Sequence, residues 1–291
     1  MMRVSSDITK LARIIFKEIV ESDKDNIDLD KYCAEKLKSV YRNISDLEIA
    51  DELEEVVEKV KFYINKRKEY CDSQGITPEY EFNDYPSNTL FRYSIKHKED
   101  VWLSFLRRHK KNLQKAINKM SWKDFEKLCE HLLEINGVEP VILTRVNQEG
   151  IDFCGLYNIG SYISSMIIPQ FFQIKIVGQI KHYSDKIQPK LLRSFYTYCE
   201  SIKNREDNII RKLPNWFNEA KTPVLGIFIT TSDFTKGAIK FAKKEWIITK
   251  NGEQFVEDLI KSPKRQMWIS QNRNSRLTFD KNAFLQFFTK G

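Results

Sequence analysis

Near residue 120 the hydropathy pattern changes its period, and that change limits the fold more than any other feature of the chain. Before it, apolar residues recur at spacings of three and four. Ile8, Leu11, Ala12, Ile15, Phe16 and Ile19 fall on one helix face. The same spacing predicts a helix over Leu29 to Val40 and another from Leu47 into Tyr70, with Val56, Val57, Val60 and Ile64 on one side. The stretch Ser73 to Asn88, with Gly75, Pro78 and Pro86, reads as a loop. Helix resumes from Asp100 through Asn118 and carries the basic run Arg107 to Lys111.

After it, strands and helices alternate. Ser121-Trp122-Lys123-Asp124 has the S-x-x-D form of a helix cap, so a helix begins at Trp122. Its apolar stripe is Trp122, Phe125, Cys129, Leu132 and Leu133, and Gly137 ends it. Strand-like runs follow at Val141–Val146, Ile151–Tyr157 and Gln170–Tyr183, then a helix at Pro189–Ser201 and a strand at Val224–Thr230. A helix at Thr235–Lys244 and a short strand at Trp246–Thr249 lead to Asn251-Gly252. This texture predicts an α/β domain built on a mixed sheet flanked by helices. The chain therefore divides into an all-helical domain, 1–118, an α/β domain, 119–262, and a basic C-terminal extension, 263–291, with a last helix at Lys281 to Phe288.

Composition narrows the class. Hydrophobic content of 41% supports packed cores, which excludes global disorder. The net charge of +8 suits a polyanionic partner. Five scattered cysteines without a C-x-x-C pair argue for free thiols in a reducing compartment, not a disulfide frame or a structural zinc site. No stretch approaches the roughly 20 apolar residues that a membrane span needs, and the N-terminus lacks a signal-peptide core. The expectation is a soluble, cytoplasmic protein.

One constellation carries chemistry. Phosphodiester hydrolysis requires a divalent cation to offset charge on the phosphorane, an activated water and a stabilised leaving oxygen. Hard cations take oxygen ligands, chiefly carboxylates and carbonyls. Asp152 follows Gly150-Ile151 at the start of one strand, and Gln179-Ile180-Lys181 lies on the next. Residues at i and i+2 of a strand share a face, so Gln179 and Lys181 point the same way, with the Ile180 carbonyl available as another ligand. Glu126, on the capped helix, can complete the acidic set.

Here the chain resembles the Mrr-like restriction endonucleases of the PD-(D/E)XK nuclease superfamily, over about Trp122 to Ile260. The resemblance is carried by Phe125-Glu126, Gly150-Ile151-Asp152, Gln179-Ile180-Lys181, the run Phe228 to Ala238 and Asn251-Gly252, in that order. It implies a metal-dependent DNA endonuclease that uses Mg²⁺ or Mn²⁺, cuts double-stranded DNA and serves in defence. Asp152, Gln179 and Lys181 are the implied catalytic core, Glu126 an accessory acid, and Asp152, Gln179 and Ile180 the metal ligands. His182, Tyr183, Thr231, Ser232 and Lys236 are the implied nucleic-acid contacts, with Thr230 beside them. A homodimer or a partner subunit would join through the helical domain.

Two departures accompany the resemblance. Gly160 to Pro169 has the look of an insertion, and a second Q-x-K, Gln173-Ile174-Lys175, stands six residues earlier in the same strand phase. Either pair can serve; Tyr183 and the following Ser184–Pro189 loop match the family pattern and favour Gln179/Lys181. Taken singly, the residues also have plain structural readings. Asp152 can be a turn aspartate, Lys181 a solvated strand lysine, Glu126 a surface glutamate, and Thr230 to Ser232 a strand end and helix cap. Arg107 to Lys111 reads as a solvated helix face before a phosphate contact, and Trp122, Trp246 and Phe241 as core before base-stacking platforms. Two rival functions stand beside the endonuclease: a non-cleaving DNA-binding or assembly module that keeps the fold, and a nuclease for RNA or for branched or single-stranded DNA.

Overall fold

The computed structural model describes residues 5–41, 45–83, 88–144, 150–159, 172–262, 264, 268–271 and 277–289. The chain forms two compact units, 1–108 and 109–291, so the division falls between Arg108 and His109, ahead of the boundary expected at 118. The insertion expected at 160–169 lies outside the described residues.

In the first unit the helical periodicity is realised as α1 (Ser5–Glu21), α2 (Leu29–Val40) and α3 (Asp46–Gln74). Each boundary has a local cause. The Asp28 side chain accepts from the Lys31 N–H at the start of α2, and Ser45 and Glu48 form a reciprocal capping box on α3. Gly75, in the left-handed region at φ 64°, closes α3. Ile8, Leu11, Ile15 and Ile19 of α1 interlock with Leu29, Leu37, Val56 and Val60 in one core. The unit is mainly helical but not all-helical. Strands β1 (Asn26–Asp28), β2 (Tyr80–Phe82) and β3 (Thr89–Arg92) form an antiparallel sheet of order β1-β3-β2. Strands of three or four residues show too few side chains for a period of two to stand out, so part of this sheet reads as a loop. Two short helices, α4 (Tyr93–Lys96) and α5 (Val101–Arg108), complete the unit.

The second unit opens with α6 (Lys110–Asn118) and α7 (Trp122–Ile135), then β4 (Val138–Leu143), β5 (Phe153–Asn158) and β6 (Gln173–Lys181). It continues through α8 (Pro189–Lys203), α9 (Asp207–Ile210), α10 (Asn215–Glu219) and β7 (Val224–Thr230). Next come α11 (Lys236–Lys244), β8 (Ile248–Lys250) and α12 (Gly252–Lys261). A hairpin of β9 (Ile269–Gln271) and β10 (Leu277–Phe279) precedes α13 (Lys281–Thr289). The five-stranded sheet has the order β4-β5-β6-β7-β8, antiparallel across β4/β5 and β5/β6 and parallel across β6/β7 and β7/β8. It is the mixed sheet expected. One face carries α8 and α11, where Leu192, Phe195, Cys199 and Ala238 bury against Val177 and Phe228. On the other, Cys129, Leu132 and Phe255 join Ile176, Ile227 and Ile229 around a cavity of about 380 Å³.

Helix α6, placed in the N-terminal half by its period, packs on α12 in this unit: Leu113, Ala116 and Ile117 are buried, and Lys110 lies 3.2 Å from the buried Glu257. The five cysteines are buried and unbonded. No helix among the described residues is long and apolar enough to cross a membrane. Two tryptophans expected in the core are outside it. Trp122 is 50% exposed and Trp246 is 84% exposed, while Phe241 is half-buried against Tyr196. Trp246 sits at φ 56° in the turn that closes α11, and Trp122 stands at the lip of α7, where the stripe of Phe125, Leu128, Cys129 and Leu132 is already buried without it.

Candidate active site

The site forms where the sheet changes from antiparallel to parallel, at the C-terminal end of β6. Its pieces arrive from local causes. Ser121 caps α7, its hydroxyl accepting from the Asp124 N–H, and the helix then carries Glu126 one turn in. Gly150 makes the turn before Asp152. Its φ is 76°, and a Cβ there would lie 2.6 Å from the ring of Tyr198, so a side chain at this position meets both strain and collision. The turn delivers Asp152 beside the end of β6: its N–H donates to the Gly178 carbonyl at 2.8 Å, and its Oδ2 accepts from the Ile180 N–H at 2.6 Å. The Lys181 ammonium, on the last residue of β6, lies 4.0 Å from the same oxygen.

These groups line one open pocket of about 380 Å³, together with Trp122, His182 and Tyr183. Glu126 is on its wall. The electrostatics are those of two carboxylates held close in a poorly solvated place. Burial and, next, the charge of Asp152 push the Glu126 carboxyl up to about 7, against the pull of Lys181 and Lys123. Burial also raises Asp152, an effect opposed by the Ile180 N–H and by Lys181. Ionising both acids sets two negative charges in this pocket against Lys181 and, on the Glu126 side, Lys123. The N–H and C=O of one strand residue point to the same side, so the Ile180 carbonyl faces Asp152 as its N–H does.

Other expected residues lie elsewhere. Gln179 is buried and is not among the residues that line the pocket; its amide nitrogen stands beside Gly150, 3.3 Å from where a Cβ would be. Thr231 and Ser232 are turned to the following loop: their hydroxyls donate to the carbonyls of Tyr183 and Asp185, at 2.9 and 2.7 Å. They fasten the segment after β6 to the end of β7. Lys236 is exposed at the first position of α11, away from the pocket lining. His182 lines the pocket, but its Nε2 donates to the Ile117 carbonyl at 3.2 Å and its ring meets Phe125 edge-on. The earlier pair lies down the strand. Lys175 is buried, opposite Leu156 and Val224, with its ammonium 5.0 Å from the centre of the Phe217 ring. Six residues of β-strand separate it from Lys181, about 20 Å.

Asn251-Gly252 supports the site from behind. Asn251 caps α12 and reaches Asp233, while a Cβ on Gly252 would fall 2.1 Å from the Thr231 carbonyl oxygen. Trp122, read from the sequence as core rather than as a base-stacking platform, lines the pocket instead; it follows a capping serine, at the open end of a helix whose stripe is full without it.

Among the described residues no three His, Cys, Asp or Glu side chains converge to hold a metal. The available donors are two carboxylates and a backbone carbonyl, a hard-oxygen set that suits a divalent cation which keeps several waters. Restriction endonuclease domains generally use divalent metals.

Residues 117–259 match the Mrr catalytic-domain family, described as restriction endonuclease. Among curated proteins none matches the chain. One solved structure similar to this chain is MspJI restriction endonuclease in complex with a 27-mer oligonucleotide, at 13% identity and a TM-score of 0.39. The similarity covers 75% of this chain and 41% of that one, so the chain spans less than half of that enzyme's length.

Proposed function

Residues 117–259 belong to the Mrr family of restriction endonuclease domains and have its PD-(D/E)XK architecture, and from that premise we propose that this chain is a metal-dependent endonuclease that hydrolyses phosphodiester bonds of double-stranded DNA in defence against foreign DNA. The observation that carries the proposal is the meeting of Asp152, Glu126 and Lys181 in one pocket, with the Lys181 ammonium 4.0 Å from the Asp152 carboxylate.

In this reading Asp152, the Ile180 carbonyl and Glu126 would hold the cation, Mg²⁺ or Mn²⁺. Gln179 joins them only if its amide turns from Gly150 toward Asp152. A bound cation would supply positive charge to offset that on the phosphorane and would favour ionisation of the attacking water. The protein's own groups do the rest. The Ile180 N–H fixes the rotamer of Asp152. Lys181 orients the attacking water and neutralises one non-bridging phosphate oxygen, and the proton that the water loses passes to solvent through the open pocket. Cutting both strands requires two such sites, which a homodimer supplies. The cytoplasm is the proposed location.

The experiment is plasmid cleavage, methylated and unmethylated, with Mg²⁺, Mn²⁺ or EDTA. Cleavage is expected with either metal and none with EDTA. Asp152→Ala should abolish it, and Lys181→Ala should slow it by about a hundred- to ten-thousand-fold while metal binding persists. Equal cutting by wild type and Asp152→Ala sinks the mechanism.

A further inference from the structure

Trp122 lines the pocket, yet the mechanism above gives it nothing to do. It is 50% exposed, and Tyr183 on the same pocket is 47% exposed. Among the described residues these two are the exposed large apolar side chains that line the pocket of Asp152 and Lys181. Folding does not require the indole, because α7 buries its stripe through Phe125, Leu128, Cys129 and Leu132. Tryptophan is also only a middling helix former. The Lys123 ammonium lies 5.6 Å from the centre of the indole ring. A half-exposed ring with a positive charge over one face thus stands at the mouth of a pocket whose floor is acidic.

That combination suits a nucleotide, whose base stacks on the ring while a neighbouring phosphate meets the lysine. It does not suit an intact duplex. In continuous B-form DNA the bases cover one another's faces and present only their edges; a face becomes available only where a base has left the stack. We infer that Trp122, with Tyr183, receives the face of an unstacked base next to the scissile phosphate, so that the DNA segment entering the site is locally opened or single-stranded when it is cut. The inference rests on the nuclease reading for where the phosphate lies, and on exposure and ring placement for the stacking. Trp122 acts here as a positioning and specificity residue that selects among conformations of the substrate.

Binding tests it without cleavage. Full-length protein carrying Asp152→Ala is titrated in EDTA with labelled single-stranded DNA, with a duplex containing one mismatched pair, and with the fully paired duplex. 2-Aminopurine is placed through the mismatch. Trp122→Ala should weaken binding of the single-stranded and mismatched oligonucleotides about 5- to 150-fold, the range of one base–aromatic stack. It should change binding of the paired duplex by less than about 2-fold, on the same grounds. Trp122→Phe should recover most of the loss, and Tyr183→Ala should act in the same direction. Quenching of 2-aminopurine on binding should disappear with Trp122→Ala. The substitution lies at an exposed site and should leave the melting temperature almost unchanged, which separates stacking from folding. If wild type cleaves DNA but Trp122→Ala binds all three oligonucleotides as its parent does, the stacking inference is overturned and the nuclease reading stands. If no nucleic acid is cut under any metal while the Trp122-dependent preference persists, the nuclease reading falls and the stacking remains.

Discussion

Gly178 gives the sharpest test of the geometry around Asp152. It faces Phe153 directly across β5/β6, and the Phe153 ring occupies the place where a side chain would begin: a Cβ on Gly178 would sit 1.9, 2.0 and 2.8 Å from three of its atoms. Carbon atoms rest at about 3.5–4.0 Å, so Gly178→Ala obliges the ring to retreat by roughly 1.5 Å. Phe153 is fully buried and has nowhere to go. Overpacking of this kind costs about 1–3 kcal/mol, and the depth of the overlap places this case at the upper end, near 3 kcal/mol. For a domain of this size that is a drop of about 6–12 °C in melting temperature. The sign should then reverse on a second background. Phe153→Ala alone costs about 3–5 kcal/mol through its cavity. Once the ring is gone, Gly178→Ala meets no obstacle and restricts the unfolded chain, so it should be neutral or stabilising by about 0.5 kcal/mol. Denaturant unfolding of the four proteins completes the cycle. Because the Gly178 carbonyl accepts the Asp152 N–H at 2.8 Å, cleavage should also fall in Gly178→Ala by more than folding alone explains. Equal and same-signed effects of Gly178→Ala on both backgrounds would refute the argument.

Two further outcomes follow from the two units and from one ion pair. A fragment beginning at His109 should fold, since the core of the sheet and its helices lies within it, whereas one beginning at Lys119 loses the buried Leu113, Ala116 and Ile117 and leaves Glu257 its Lys261 partner but not Lys110; circular dichroism and thermal melting should place the shorter fragment at least about 3 kcal/mol lower, chiefly through the lost apolar contacts. Burial alone would raise the carboxyl of Asp233, but Lys186 at 2.8 Å, the Phe234 N–H and Asn251 together hold it below its ordinary 3.8. A lowered folded-state pKa gives stability that is present above that value and lost as pH falls through the folded one. Asp233→Asn should therefore lower stability at pH ~7 by less than about 1 kcal/mol, the carboxylate being partly screened by solvent, and the difference should vanish in melts near pH ~2.

What the sequence made legible divides by the length and regularity of each signal. Helices α1, α2 and α3 were readable because each repeats its apolar spacing over several turns and because Ser45 and Gly75 mark the ends of the longest. The order of strands and helices after Ser121 was readable for the same reason, down to the mixed sheet. Strand ends were less so: β4 starts at Val138, before Pro140, because its edge position leaves that proline no ladder bond to donate. The three-residue strands β1 and β2 repeat no pattern, and α12 was hidden behind Asn251-Gly252, which reads as a turn although Asn251 caps a helix. Helix α6 kept its period but not its affiliation, since spacing reports which face is buried and not what buries it.

At the site, the strand arithmetic brought Asp152 and Lys181 to one place but could not say where a long neutral side chain rests. Gln179 obeys the i, i+2 rule in its backbone and still ends beside Gly150, because an amide in a buried strand goes to whatever space the adjoining turn leaves. Thr231 and Ser232 illustrate the same limit: a hydroxyl at a strand end is available to a ligand only if no nearby carbonyl claims it, and here two do. Trp122 is the complementary case. A tryptophan at helical spacing reads as core, yet a helix needs only enough apolar residues to cover its contact face, and α7 has them from Phe125 onward. The surplus aromatic is left in water at a cost, beside two acids that burial makes harder to ionise. These three placements around one pocket suit the proposed cation and substrate, which would supply what is missing: positive charge for the acids and a flat face for the ring.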